Sequence, residues 1–218
     1  MKKVVVVDYG LGNLFSLRRA LHHIGYETIV SSNPSDIENA SYLLLPGVGA
    51  FGDGMKNLRE RRLTDPIKQF AASGKPLFGI CLGMQLFMTE SEEFGLHKGL
   101  NLIGGRVARF RDPLPEGPTY KIPNVGWRSL EYPEGRSSWN ETLLDGVGEG
   151  SCVYFVHSYK VIPDERNHIL AETNYAEGKY CSVIAKDNIL GCQFHPEKSG
   201  ETGLRILKNI LNHAKVAI

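Results

Sequence analysis

Cysteine is scarce in this sequence, and its spacing suits neither a metal site nor a disulfide framework. Four cysteines occur among 218 residues, and no two of them form a C-x-x-C pair. A structural zinc site therefore has little support, and a chain of this length does not need disulfide bonds to stabilise its core. Cys152, Cys181 and Cys192 lie in or beside strand-like segments, so we expect them to pack in the core. Cys81 differs, because it is enclosed by glycines in the string GICLG.

An excess of charge and a long apolar run are also missing. The 25 basic residues nearly balance the 24 acidic ones. No long basic run stands out, so the sequence favours neither a nucleic-acid partner nor an acidic membrane surface. The apolar run Val4–Val7 is stopped by Asp8, too early for a signal peptide, and no run approaches the length of a membrane helix. We therefore expect a cytoplasmic protein without a membrane partner.

The sequence does contain enough apolar material for one substantial core. The chain is 42% hydrophobic and 22% charged, which are ordinary values for a globular protein. No internal repeat or low-complexity segment divides it. These features predict a single domain over residues 1–218.

The first part of the chain alternates strand-like with helix-like segments. Strands are predicted in KKVVVVDYG, YETIVS, SYLLLPGVG and KPLFGI, and helices in NLFSLRRALHHIG, GDGMKNLRERRL, DPIKQFAASG and LGMQLFMTES. Asn13 and Gly25 are expected to cap the first of these helices. In the third, Asp65 is expected at the N-cap, Pro66 at the first helical position and Gly74 at the C-cap.

The second part of the chain changes to short β-type segments, in LIGGRVARF, SCVYFVHSYKV, HILAETNY, YCSVIAK and NILGCQF. The proline-rich stretch RDPLPEGPTYKIPNVGW is expected to be an irregular surface loop, and a last helix is expected roughly over residues 201–214. Together the two parts predict an α/β fold of three layers, in which helices cover both faces of a mainly parallel sheet with an antiparallel extension. Ligands of such sheets bind beyond the carboxyl ends of the strands, where the turns YGLGN, PGVGAFGDG and GICLG fall.

The turn GLGNLF, residues 10–15, could be the start of a dinucleotide-binding fingerprint. The third small residue of that fingerprint would fall at Phe15, and the second strand ends in IVSSN without an acidic residue. A Rossmann oxidoreductase is therefore disfavoured, and a tight strand–helix connection is the better interpretation.

The string GICLG, residues 79–83, has the form of a nucleophile elbow, which places a nucleophile between two glycines at a strand-to-helix turn. The glycines relieve crowding around the strained nucleophile. Helix amides and the macrodipole would stabilise a thiolate of Cys81 there, and the amide of Leu82 would face the developing oxyanion. Taken alone, this short pattern leaves a buried structural thiol open as the alternative.

The string GCQFHPEK, residues 191–198, contains a candidate base. Residues two apart in an extended segment point to the same side, and Pro196 favours extended backbone for the residue before it. The imidazole of His195 and the carboxylate of Glu197 are therefore expected to leave the strand end together, as a general base and its orienting acid do. With Cys81 they would form a Cys–His–Glu triad.

A third strand end, in LLLPGVGAF, adds a glycine turn. Its free amides, near Val48 and Gly49, are candidates for a second oxyanion donor beside that of Leu82. A peptide flip in this turn would present or withdraw the donor, which would make the activity switchable.

The strings PGVGAF, GICLGMQ and FHPEKSG together resemble the class I (triad) glutamine amidotransferases, in that family's order and spacing. The resemblance extends over nearly the whole chain, including DYGLGN and VYFVHSY, and is nearest to the glutaminase subunits that serve imidazole glycerol phosphate synthase in histidine biosynthesis. It implies a flavodoxin-like fold with Cys81 as the nucleophile, His195 as acid and base, and Glu197 as the residue that orients His195. No metal or organic cofactor is needed.

The resemblance also implies residues that hold the glutamine substrate and residues near a partner. The glutamine-holding positions are Gly49, Gln85, Glu93, Ser158 and Tyr159. The positions close to the partner interface are Asn13, Trp127, Tyr154 and Lys198. The implied partner is a (β/α)8-barrel synthase (cyclase) subunit, bound as a heterodimer, which receives the ammonia directly and forms imidazole glycerol phosphate and AICAR. The glutaminase of this family is nearly silent until that partner binds its own substrate.

The acceptor of the ammonia stays open in the sequence. The strings PNVGWR, residues 123–128, and EKSGETGL lean toward related glutaminases whose synthases act on amino sugars of surface polysaccharides. A stand-alone cysteine hydrolase, which would be active without a partner, is a further alternative. A non-enzymatic subunit with a relic site is disfavoured, because all three residue types of the triad are present.

Overall fold

The computed structural model describes residues 3–113 and 119–212. Expectations for residues 114–118 of the proline-rich loop and 213–214 of the last helix lie outside the described residues. The strands are β1 (Val4–Val7), β2 (Thr28–Ser31), β3 (Tyr42–Gly47), β4 (Leu77–Cys81), β5 (Glu90–Ser91), β6 (His97–Lys98), β7 (Gly105–Arg109), β8 (Asn124–Ser129), β9 (Cys152–His157), β10 (Tyr159–Pro163), β11 (Ile169–Tyr175), β12 (Gly178–Lys186) and β13 (Ile189–Cys192). The helices are α1 (Leu14–His23), α2 (Pro34–Glu38), α3 (Phe51–Glu60), α4 (Thr64–Ala72), α5 (Leu82–Leu86) and α6 (Gly200–Asn212), with short 3-10 turns at Arg166–His168 and Pro196–Lys198.

One large sheet organises the fold. Its strand order is β2-β1-β3-β4-β13-β12-β10-β7-β5-β6, and β11 pairs with β12. The first five strands are parallel to their neighbours, in the order of a flavodoxin-like doubly wound sheet, and most pairings beyond β13 are antiparallel. The predicted fold, a mainly parallel sheet with an antiparallel extension, is confirmed.

Two apolar cores lie on opposite faces of this sheet, which makes the three layers. Strand β1 is buried on both faces, because Val4 and Val6 join one core while Val5 and Val7 join the other. The first core packs under α1 and α6, and the second under α2, α3, α4 and α5. Side chains alternate across a strand, so an uninterrupted apolar run is what a strand covered on both sides requires.

The predicted helix caps are only partly correct. Asn13 does cap α1, where its side chain accepts a hydrogen bond from the backbone N–H of Ser16. Helix α4 begins at Thr64, so Asp65 lies in the first turn and is not its N-cap. The N-cap is Leu63, whose side chain is buried and makes no capping hydrogen bond, so Pro66 is the third helical residue and not the first. Gly25 and Gly74 each follow the C-cap by one residue, in the left-handed conformation.

Four segments differ from the sequence expectation. Helix α2 was not predicted. The end of the proline-rich stretch is not irregular, because β8 pairs with β9 in a separate two-stranded sheet. The segment SCVYFVHSYKV is not one strand, since it leaves this small sheet at Ser158 and enters the large sheet as β10. The predicted helix LGMQLFMTES ends at Leu86, because Glu90–Ser91 pairs as a strand.

The three cysteines outside GICLG differ in burial. Cys181 and Cys192 are buried as expected, whereas Cys152 is exposed, because the first residue of β9 lies at the rim of the small sheet. Over the described ranges, each helix is too short or too polar to cross a lipid bilayer.

Candidate active site

Cys81 lies where β4 ends and α5 begins, as the elbow pattern predicts. Its backbone has a φ of +53° and a ψ of −107°, a strained conformation for a residue with a side chain. The two flanking glycines permit the close approach of α5. A Cβ at Gly79 would lie 2.6 Å from the backbone nitrogen of Met84, and one at Gly83 would overlap the carbonyl group of Leu45. The thiol is 6% exposed.

His195 reaches the same edge of the sheet from the neighbouring strand. Strand β13 runs parallel to β4 with Cys192 beside Ile80, so the chain after β13 passes close to Cys81. The Nδ1–H of His195 donates to Glu197 Oε1 over 2.9 Å, and both side chains are almost fully buried. The geometry of this contact differs from the predicted one. Pro196 begins a 3-10 turn, so Glu197 meets His195 across a turn and not along an extended strand.

The electrostatics of His195 favour its charged form. Burial lowers the pKa of His195, but the nearby Cys81 sulfur and the Glu197 carboxylate outweigh burial and raise the pKa to about 10. Its second ring nitrogen, Nε2, is buried and makes no hydrogen bond within the described residues. The Cys81 sulfur and the Glu197 carboxylate therefore hold the imidazole of His195 in its cationic form, and Nε2 of that ring is available to a reacting atom.

A cavity of about 340 Å³ opens in front of Cys81. Eight of the predicted site residues line it, namely Val48, Gly49, Cys81, Leu82, Gln85, Glu93, Ser158 and Tyr159. The predicted oxyanion and glutamine-holding positions are thus brought together around the thiol. Three further residues, Pro123, Val156 and His157, complete the lining.

The turn at Val48 and Gly49 is held from two sides. Gly49 has a φ of +115° and lies against the side chain of Leu11, while Gly12 lies close to the backbone of Gly47. The glycine-rich turn after β1, in which we disfavoured a dinucleotide site, therefore packs under the turn after β3. On the other side, Glu93 Oε2 accepts a hydrogen bond of 2.6 Å from the backbone N–H of Phe51, the first residue of α3.

Glu93 therefore does more than line the cavity. Burial raises the pKa of its carboxyl group, and the hydrogen bond from Phe51 opposes that shift. Since Ala50 gives α3 no side-chain cap, the carboxylate of Glu93 fills that role for the helix that follows the turn.

Two buried polar residues at the site were missed. His157 donates from Nδ1 to the carbonyl of Tyr159 over 2.8 Å, and burial lowers its pKa to about 4. Gln193 donates from Nε2 to the sulfur of Cys81 over 3.5 Å. A signal for Gln193 was present, because it precedes His195 by two residues in the same string and so shares its side of the chain.

Three of the predicted interface residues, Trp127, Tyr154 and Lys198, form one group of neighbouring side chains. The rings of Trp127 and Tyr154 meet edge to face at 6.1 Å across β8 and β9, and the ammonium of Lys198 lies 5.8 Å from the Tyr154 ring centre. Trp127 is 51% exposed, and Val125 beside it is also exposed. Asn13 caps the start of α1, and this helix contacts the 3-10 turn that carries Lys198.

Known proteins resemble the chain over nearly all of its length. The family model described as glutamine amidotransferase class-I matches residues 5–214. The imidazole glycerol phosphate synthase subunit HisH 1 of Legionella pneumophila (strain Paris) is 46% identical over 97% of this chain and 99% of its own. The subunit HisH of Geobacillus thermodenitrificans is 48% identical over 95% of this chain and 94% of its own. A solved structure of PurLQS from Thermotoga maritima superposes with a TM-score of 0.71 at 19% identity, covering 97% of this chain and 99% of that one.

Proposed function

Because the chain belongs to the class I glutamine amidotransferase family, we propose that it is the glutaminase subunit of an imidazole glycerol phosphate synthase, acting in histidine biosynthesis. Such a subunit hydrolyses glutamine to glutamate and ammonia. The family match and the names of relatives at 46% and 48% identity support this function. The alternative acceptor, an amino sugar of a surface polysaccharide, finds no support in those names.

The observation that carries the mechanism is the meeting of Cys81, His195 and Glu197 at the carboxyl ends of two adjacent parallel strands, β4 and β13. The thiolate of Cys81 attacks the side-chain amide carbon of glutamine. Negative charge then moves from sulfur to the amide oxygen. We infer that this oxyanion is stabilised by the backbone amides of Leu82 and of the turn at Val48 and Gly49, since these residues line the same cavity.

His195 then delivers a proton to the departing nitrogen. Its raised pKa holds the proton before the attack, because the Cys81 sulfur stabilises the imidazolium. Once sulfur becomes part of a γ-glutamyl thioester, that stabilising charge is gone and the proton is released more readily. The neutral imidazole, held at Nδ1 by Glu197, then activates the water that hydrolyses the thioester.

The cavity offers polar groups for the rest of the glutamine molecule. The amide nitrogen of Gln85 is engaged, since it donates to the carbonyl of Tyr159 over 3.1 Å and to Gln193 over 3.0 Å. Its oxygen is therefore the atom that can accept a hydrogen bond from the substrate. Glu93 adds a carboxylate, which suits the α-ammonium group, and Ser158 adds a hydroxyl.

A partner subunit takes the ammonia, and we place it on the surface around Trp127, Tyr154 and Lys198. The partner is a (β/α)8-barrel synthase. Two backbone hydrogen bonds support the position of this surface, because His195 N–H donates to the Tyr154 carbonyl over 2.9 Å and Lys198 N–H donates to the His195 carbonyl over 3.0 Å. A partner that shifts either residue also shifts the catalytic imidazole, so glutaminase activity should depend on the partner.

Reconstitution with the synthase subunit tests this function. In Cys81→Ala, glutamine-dependent synthesis should fall to background while ammonia-dependent synthesis by the complex persists. The matched control is Cys152→Ala, whose exposed thiol lies outside the cavity and whose loss should leave both activities unchanged. Glutamine hydrolysis retained in Cys81→Ala, or full activity of the isolated chain, would contradict the assignment.

A further inference from the structure

Gln193 is a buried polar residue beside the reacting sulfur. It follows β13 directly, its side chain is fully buried, and its Nε2 lies 3.5 Å from Cys81 Sγ. Its own backbone N–H donates to the Ser182 carbonyl over 2.9 Å, so the residue is fixed between β12 and the elbow. The effect of this buried amide on the sulfur depends on whether its NH2 group or its oxygen faces Cys81.

The surrounding hydrogen bonds determine that direction. The carbonyl of Tyr159 can only accept, so the group of Gln85 that faces it over 3.1 Å must be the amide nitrogen. The second proton of that nitrogen points to Gln193 over 3.0 Å, so the group of Gln193 that receives it must be the oxygen. The NH2 group of Gln193 is consequently turned toward the sulfur of Cys81.

We propose that Gln193 is a further catalytic residue of this glutaminase, whose amide N–H stabilises the thiolate of Cys81 before it attacks. This inference deepens the function proposed above and rests on it. A thiolate accepts a hydrogen bond much more strongly than a thiol does, so a fixed donor favours the charged, nucleophilic form. Gln85 links the donor to the substrate cavity, since the same amide orients Gln193 and lines the space for glutamine.

The other titratable groups around the sulfur do not replace this donor. Burial keeps the hydroxyl of Tyr9 and the thiol of Cys192 neutral, because it raises the pKa of both groups far above their usual values. Burial likewise keeps His157 neutral near pH 7. His195 remains as the charged neighbour, because the Cys81 sulfur and the Glu197 carboxylate raise its pKa to about 10. An effect of Gln193 must therefore be measured as a change against the parent protein, in which His195 is unaltered.

Alkylation of the thiol by iodoacetamide measures the thiolate directly, since sulfur displaces iodide only in its charged form. The full chain carries Cys152→Ser as background, because Cys152 is exposed whereas Cys181 and Cys192 are buried. Rates at Cys81 are followed by peptide mass spectrometry from pH 4 to pH 10. In Gln193→Met, which keeps the length of the side chain and removes the donor, the midpoint of the rate profile should rise by about one pH unit.

Two more variants separate the donor from packing. Gln193→Glu still accepts the bond from Gln85 but turns a carboxylate oxygen to the sulfur, so its midpoint should rise further than that of Gln193→Met. It also gives the test if Gln193→Met does not fold. Gln69→Met makes the same chemical change on the exposed face of α4 and should leave the midpoint unchanged.

The outcomes distinguish this inference from the proposed function. With the synthase present, kcat for glutamine hydrolysis should fall about tenfold in Gln193→Met, with a smaller change in KM. Unchanged midpoints in both Gln193 variants would overturn the role of Gln193 while leaving the glutaminase intact. A parent protein that alkylates at Cys81 but never hydrolyses glutamine would instead overturn the proposed function.

Discussion

The close approach of α5 to β4 is the feature of the elbow most open to a quantitative test. A methyl group at Gly79 would lie 2.6 Å from the backbone nitrogen of Met84 and 2.7 Å from the carbonyl carbon of Gly83. Both atoms belong to the backbone of α5, so neither can swing aside as a side-chain end would. Gly79→Ala therefore requires the helix to move as a body away from the strand.

The size of that movement gives the expected loss. Restoring an ordinary contact of about 3.4 Å requires α5 to shift by about 0.8 Å, and overpacking of this kind costs about 1–3 kcal/mol of unfolding free energy. The start of α5 carries Leu82 and follows Cys81, so the thiol and the oxyanion amide shift with it. A misplacement of about 1 Å can cost about a hundredfold in rate, so we expect a loss of at least about tenfold in glutaminase activity.

Two assays on the same samples check both numbers. Urea unfolding is followed by the fluorescence of Trp139, which is buried in the core, and glutamine hydrolysis is measured with the synthase subunit below the unfolding transition. The matched control is Gly148→Ala, where the nearest atom to the new Cβ is 4.0 Å away and stability should stay within about 0.5 kcal/mol. A Gly79→Ala protein as stable and as active as the parent would refute the argument that glycine is required for close approach.

Two further predictions concern buried groups. Tyr9→Phe removes a buried hydroxyl that has no hydrogen-bond partner among the described residues, so the unfolding free energy in urea should stay the same or rise by up to about 1 kcal/mol, and a clear loss would contradict this. The pKa of His157 is lowered to about 4 in the folded chain, so the unfolded chain binds the extra proton and stability should fall by up to about 3 kcal/mol as the pH drops from about 6.5 to 4. The raised pKa of His195 affects the free energy of unfolding only at higher pH, where its stabilising contribution is lost as the pH rises toward 10. If the free energy of unfolding stays constant as the pH falls from about 6.5 to 4, both in the parent and in His157→Gln, the pH dependence assigned to His157 is wrong.

The sequence by itself determined the local chemistry of the site. The string GICLG predicted a strand-to-helix turn. In the structure only glycine fits at positions 79 and 83, where α5 packs closely against β4 and β3. The run Val4–Val7 indicated a strand covered on both faces, and both faces are covered. In FHPE, His195 and Glu197 are close in sequence, so their contact needed only a short turn to form. Such features depend on residues within one or two elements.

Tertiary structure alone decided which distant groups meet. Asn124–Ser129 contains glycine and follows prolines, and it becomes a strand only because β9 is there to pair with it. Gln193 and Gln85 are separated by 108 positions, and neither shows from its own surroundings that it orients the other. Cys152 and Cys192 have similar strand settings in sequence, yet one is exposed and one is buried. Local sequence patterns set the backbone conformation of an element and the faces it buries, whereas these pairings depend on where the whole sheet brings separate segments together.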